Sequence, residues 1–175
     1  MKTLTLSVNE ILRFANHDYL NQLQLIKMNL DLGKIEEAKK IIEQISGHAK
    51  ILSNINKLNL PKTVEWLQTI QWKFPIFQVT LNSDVMEAVD LKYDDQIVEY
   101  LEKTVIHVYD SLDPYTEQQL TIDIKSRDSF QLIFELKGNW DVNCSFIQEN
   151  VKNLKIETYV ETNQHWKYAL SLEQE

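Results

Sequence analysis

Two apolar stripes, each repeating at alternating gaps of four and three residues, constrain this chain more than any other feature. Leu12, Asn16, Tyr19, Leu23, Ile26 and Leu30 form the first, and Ile35, Ala38, Ile42, Ile45, Ala49 and Leu52 the second. This is the seam spacing of a helix bundle, and it predicts helices over about 7–31 and 34–58. Gly33 lies between them, where a left-handed residue can stop a helix at little cost. So short a connection turns the second helix back along the first, making an αα-hairpin. Ile11, Leu20, Leu25, Met28, Ile41, Ile51 and Ile55 widen the apolar arc beyond one seam. Two helices cannot cover that much apolar surface, so a homodimer is expected, with two hairpins forming a four-helix bundle.

Pro61 ends this pattern, which puts the domain boundary between residues 62 and 63. Beyond it, Thr63 reads as the cap of a short helix to about Lys73, with Val64, Leu67 and Ile70 inward. Val79 and Leu81 suggest a strand after Pro75. A longer helix from about Asp94 to Leu112 follows, with Ile97, Leu101, Val105 and Val108 inward. Asp94 and Asp95 suit its N-terminus, where negative charge is favoured. Leu120-Ile122-Ile124 and Phe130-Leu132-Phe134-Leu136 alternate as strands until Gly138 and Asn139. A short helix near 145–151 and two last strands, around Ile156 and through Trp166-Tyr168-Leu170-Leu172, complete an α+β layer. Trp66, Trp72, Trp140 and Trp166 read as core residues.

The net charge of −8 is divided unevenly: residues 1–62 carry +3 and residues 63–175 carry −11. A mostly acidic surface repels nucleic acid and anionic lipid, so neither is expected as a partner, whereas the basic N-terminal part suits an acidic one. No apolar run approaches the ~20 residues of a membrane span, and the first residues do not form a signal peptide. Cys144 is the only cysteine, which leaves no intrachain disulfide or thiolate zinc cluster. The cytoplasm is the expected location.

The chemistry centres on His17. It lies off the Leu12-Asn16-Tyr19-Leu23 seam, on a polar stripe with Arg13 and Asn21 one turn to either side and Gln24 beyond. An exposed imidazole keeps a substantial neutral fraction at physiological pH, and neutral imidazole is a nucleophile that can carry a covalent intermediate. Asp18 is placed to accept the ring's second N–H, and Asn21 to set an amide near a reacting group. Arg13, Phe14, Leu20 and Gln24 form the expected contact surface for a visiting protein. His48, His107 and His165 have no ligand-like spacing with one another or with Cys144 and read as structural or surface residues.

The run His17-Asp18-Tyr19-Leu20-Asn21-Gln22-Leu23-Gln24-Leu25-Ile26-Lys27-Met28-Asn29-Leu30 resembles the phosphohistidine segment of the sporulation initiation phosphotransferase B family. Weaker similarity continues through Ala49-Lys50, Leu52-Ser53-Asn54 and Trp72-Lys73. The resemblance implies a dimeric four-helix bundle, residues 1–62, and a degenerate histidine-kinase ATPase-like α/β sandwich, residues 63–175. It implies phosphoryl transfer between the aspartates of two response regulators through phosphorylated His17, beside which Asp18 and Asn21 are read as catalytic from their places on the helix. One departure is Asn16, where the family tends to have a basic residue.

ATP is not expected as a substrate. A kinase needs glycine-rich loops and an asparagine-bearing helix for magnesium. Residues 63–175 hold only Gly138, and 97–112 contain no asparagine. No cofactor of its own is expected, the Mg2+ for transfer being supplied by the response regulator. The alternative reading is a non-catalytic dimerisation or adaptor module of two-component signalling.

Overall fold

The structure, a computed structural model, describes residues 5–141, 151 and 153–173. The chain divides into two compact units, residues 1–52 and 53–175. The short helix expected near 145–151 falls almost wholly on residues 142–150, outside those described.

The first unit is a helical hairpin. Helix α1 spans Val8–Asp31, and α2 spans Ile35–Ile55, ending in a 3-10 turn at Asn56–Leu58 that belongs to the second unit. Ser7 caps α1 through a reciprocal box. Its hydroxyl accepts from the Glu10 amide at 3.3 Å, and Glu10 accepts from the Ser7 amide at 2.8 Å. These Ser7 hydrogen bonds hold the Glu10 carboxyl below the usual carboxylate range. At the other end Gly33 takes φ +71°, its amide donating to the Leu30 carbonyl and that of Lys34 to Asn29. Those paired bonds satisfy the last carbonyls of α1 in a left-handed turn that glycine adopts without a Cβ penalty. No described residue of α1 is buried. Leu12, Tyr19, Leu23 and Leu30 of the seam all lie about half exposed within the single chain.

The second unit is a mixed five-stranded sheet with helices on one face. Its strands are β1 (Phe77–Val85), β2 (Gln118–Ser126), β3 (Phe130–Lys137), β4 (Leu154–Glu161) and β5 (His165–Leu172), in spatial order β1-β2-β3-β5-β4. Only β1 and β2 are parallel. A parallel pair cannot be joined by a tight hairpin, so the chain crosses over through α4, Asp94–Tyr109. The inward row runs through Leu81, Ile122, Phe134 and Tyr168, all buried. Phe134 stacks on Tyr168 at 5.0 Å, and Tyr100 of α4 meets Tyr168 edge-on at 5.6 Å. Ile97, Leu101, Val105 and Val108 of α4 are fully buried, and Val64, Leu67 and Ile70 of α3 (Pro61–Lys73) are also in the core. Trp66, Trp140 and Trp166 are buried as expected, whereas Trp72 is only half-buried.

Three particulars differ from the sequence reading. Thr63 is not the cap of α3: the helix begins at Pro61, and its N-terminus is capped from a distance by Asp94. That buried carboxylate accepts the Lys62 amide at 2.8 Å, the Thr63 amide at 2.9 Å and the Thr63 hydroxyl at 2.8 Å. Free amides and the helix dipole both favour an anion there. The long helix stops at Tyr109, before Leu112. And the compact units part at Leu52/Ser53, ahead of the 62/63 boundary, because the end of α2 packs with the second unit. There Ile55, Leu58 and Leu60 are fully buried, and the Asn54 amide bonds both the N–H and the carbonyl of Val85, at 2.8 and 3.1 Å.

Two predictions follow from this packing. A Cβ built on Gly138 would lie 1.7 Å from Gln118 Oε1. Gln118 is 1% exposed, donates to the Asp113 and Thr116 carbonyls and accepts from the Asn139 amide, so it cannot swing aside cheaply. Gly138→Ala should cost about 1–3 kcal/mol in denaturant unfolding. Glu135, on the open sheet face, is met by His165 at 2.8 Å, Lys137 at 3.1 Å and Lys167 at 3.2 Å. Burial pushes its carboxyl up, but those three partners together outweigh it and hold it at about 2, below the ordinary 4.5. The contribution is therefore complete above pH 4.5 and fades as pH falls toward about 2. Thermal unfolding of Glu135→Gln should show a shallower loss of stability across that interval than the unaltered chain.

Candidate functional site

Helix α1 carries the site. Its apolar seam turns one way, and a polar stripe containing Arg13, His17, Asn21 and Gln24 turns another, all four exposed. The His17 side chain is 70% exposed, so a second protein could reach the ring without any rearrangement of this helix.

The ring's described contacts both fall on one nitrogen. Asp18 Oδ1 lies 3.4 Å from Nδ1, and Asn21 Nδ2 lies 3.3 Å from the same atom. They make opposite demands. A carboxylate can only accept, so the Asp18 contact needs a proton on Nδ1 and leaves the Nε2 lone pair bare. The Asn21 amide nitrogen can only donate, so its contact needs Nδ1 bare and moves the proton to Nε2. Rotation of the Asn21 amide would present its oxygen instead, and both neighbours would then hold the proton on Nδ1. In that state Nε2 is a neutral, exposed nucleophile.

The remaining residues of the expected surface are distributed along the same helix. The Arg13 guanidinium sits over the Phe14 ring, 5.3 Å from its centroid. Phe14 is half-buried, while Leu20 and Gln24 are exposed. His17, Asp18 and Asn21 thus form one cluster and Arg13 with Phe14 a second, one turn away. The sequence reading did not extract the Ser7–Glu10 capping box, although the Ser-x-x-Glu spacing was there to signal it. The box engages Glu10, the carboxylate three residues before Arg13.

His48 is exposed on α2, and His165 belongs to the Glu135 cluster. Among the described residues, no three His, Cys, Asp or Glu side chains converge as a metal-binding set. No helix among those residues is long and apolar enough to cross a membrane.

Comparison with known proteins returns the same segment. Residues 2–58 match the family model described as Sensor_kinase_SpoOB-type, alpha-helical domain. Sporulation initiation phosphotransferase B of Bacillus subtilis (strain 168) is 31% identical over 125 residues, covering 70% of this chain and 64% of that protein. This chain therefore aligns with slightly less than two thirds of its relative's length. Among solved structures, a blue-light activated histidine kinase from Erythrobacter litoralis is similar at 8% identity, covering 98% of this chain and 61% of that one, with a TM-score of 0.45. The histidine kinase ThkA in complex with the response regulator protein TrrA is similar at 10% identity, covering 94% and 61%, with a TM-score of 0.38. Residues 2–58 thus carry a helical domain of the SpoOB type, and the chain is similar over 70% of its length to sporulation initiation phosphotransferase B.

Proposed function

We propose that this chain is a phosphorelay histidine phosphotransferase, moving a phosphoryl group between the aspartates of two response regulators through His17. The observation that carries the reading is an exposed imidazole whose two contacts both fall on Nδ1, on a helix shared with a phosphotransferase family.

Each step then balances. The Nε2 lone pair attacks the phosphorus of an aspartyl phosphate, the N–P bond forming as the P–O bond breaks. The electron pair of the broken bond returns to the regulator's carboxylate, and the Nδ1 proton stays on the ring, shared with Asp18. Attack by the aspartate of a second regulator reverses these changes and restores neutral imidazole. Phosphoryl transfer depends chiefly on alignment and charge neutralisation, both of which a docked partner can supply. Magnesium in the regulator's acidic pocket would neutralise the transferring group, leaving this chain with no metal to bind.

ATP has no place in this scheme. Flexible glycine loops let backbone amides approach nucleotide phosphates, and residues 63–175 have one glycine, Gly138, already pressed against Gln118. The second unit is assigned a bracing and partner-contact role in place of nucleotide binding. The exposed seam of α1 is assigned to a second copy of the chain, since pairing two hairpins covers both stripes at once.

Phosphate from a phosphorylated response regulator should appear on the unaltered chain as an acid-labile, base-stable adduct. His17→Ala and His17→Gln should abolish it while leaving helical content unchanged. Retention of biological activity by His17→Ala would return the chain to an adaptor role. Light scattering at micromolar concentration should give a dimer mass near twice 20.7 kDa, and a monomer there would remove the four-helix bundle.

A further inference from the structure

A phosphoryl group arriving at His17 brings about two negative charges to a position where the protein already places a carboxylate, Asp18, 3.4 Å from the ring. The regulator's magnesium would offset part of that repulsion only while the two proteins are docked, so a cation of this chain has to offset the rest. Helix α1 carries two, Arg13 and Lys27. Lys27 lies ten residues beyond His17, about 15 Å along the helix, and its ammonium is engaged by Asp31 at 2.6 Å. Arg13 lies four residues before His17, one turn away on the same stripe, where side chains are neighbours.

The surroundings of Arg13 hold it ready for an anion. The carboxylate three residues before it, Glu10, is turned to the Ser7 amide and hydroxyl, both at 2.8 Å. Arg13 thus feels Glu10 without being tied into an ion pair by it. Its guanidinium rests instead on the Phe14 ring, 5.3 Å from the centroid. A contact with a ring face uses none of the guanidinium's N–H donors, the fork that matches phosphate oxygens. A half-buried ring beneath it also reduces the conformational freedom lost on binding.

We propose that Arg13, seated on Phe14, is the residue that neutralises and orients the phosphoryl group during its transfer to and from His17. This rests on the phosphotransferase reading and names a second residue for it. In the transfer step Arg13 donates N–H bonds to the non-bridging phosphoryl oxygens as the N–P bond forms and the P–O bond to aspartate breaks, and it exchanges no proton.

Two donors separate phosphoryl recognition from protein docking: phosphoramidate alone, and a phosphorylated response regulator. The unaltered chain, Arg13→Ala, Arg13→Lys and Lys50→Ala would be compared for the rate of phosphohistidine formation. Lys50 is the control cation, about as far beyond Gly33 on α2 as His17 lies before it. With both donors Arg13→Ala should be slower by at least about tenfold, as for loss of one preorganised donor to a developing charge. Arg13→Lys should recover part of the rate, and Lys50→Ala should stay within about twofold of the unaltered chain. Equal rates for Arg13→Ala and the unaltered chain would overturn the proposal. So would a defect seen only with the response regulator as a raised KM, or a defect in Lys50→Ala alone. An unaltered chain that takes up no phosphate at His17 would instead overturn the phosphotransferase reading itself.

Discussion

A helix of 24 residues with no buried side chain is held by its backbone bonds, its caps and whatever covers its apolar stripe. Most helical stability in proteins comes from packing an amphipathic face, and within the single chain this helix leaves much of its stripe exposed. The hairpin answers part of the problem locally. The Ser7–Glu10 box satisfies amides at one end of α1, and the Gly33 turn satisfies carbonyls at the other. In the proposed dimer the rest would come from a second copy of the chain. A stripe committed to that seam would fix the rotation of α1 and leave His17, which lies off it, facing the medium.

The second unit solves its packing internally. One carboxylate, Asp94, joins its two helices: it opens α4 and caps α3, occupying amides that would otherwise be buried without acceptors. Around that junction the sheet buries a continuous apolar row, with Phe134, Trp166 and Tyr168 in mutual aromatic contact. The open face is polar and carries the Glu135 cluster. A parallel β1–β2 pair with α4 as its crossover gives the layer its handed connection, and the remaining strands close by hairpins.

Periodicity made much of this legible. A repeat of four and three residues can belong only to a helix with one sheltered face, so both hairpin helices and the inward residues of α4 could be read directly. Alternation did the same for β2 and β3. The exposed position of His17 followed from its phase relative to Leu12 and Leu23. Capping was harder to read, because it depends on which side chain reaches a helix end, and that partner can be distant in sequence. Thr63 looked like a cap through its residue type, yet Asp94, 31 positions on, holds that helix end.

Local sequence alone determined the helical hairpin, the strand pairs and the polar stripe bearing His17, because each is a pattern of neighbours a few residues apart. Tertiary structure decided the parallel pairing of β1 with β2, the capping of α3 by Asp94 and the assignment of the end of α2 to the second unit. Those outcomes depend on which groups meet in space and which polar atoms would otherwise lack partners, and spacing along the chain carries neither.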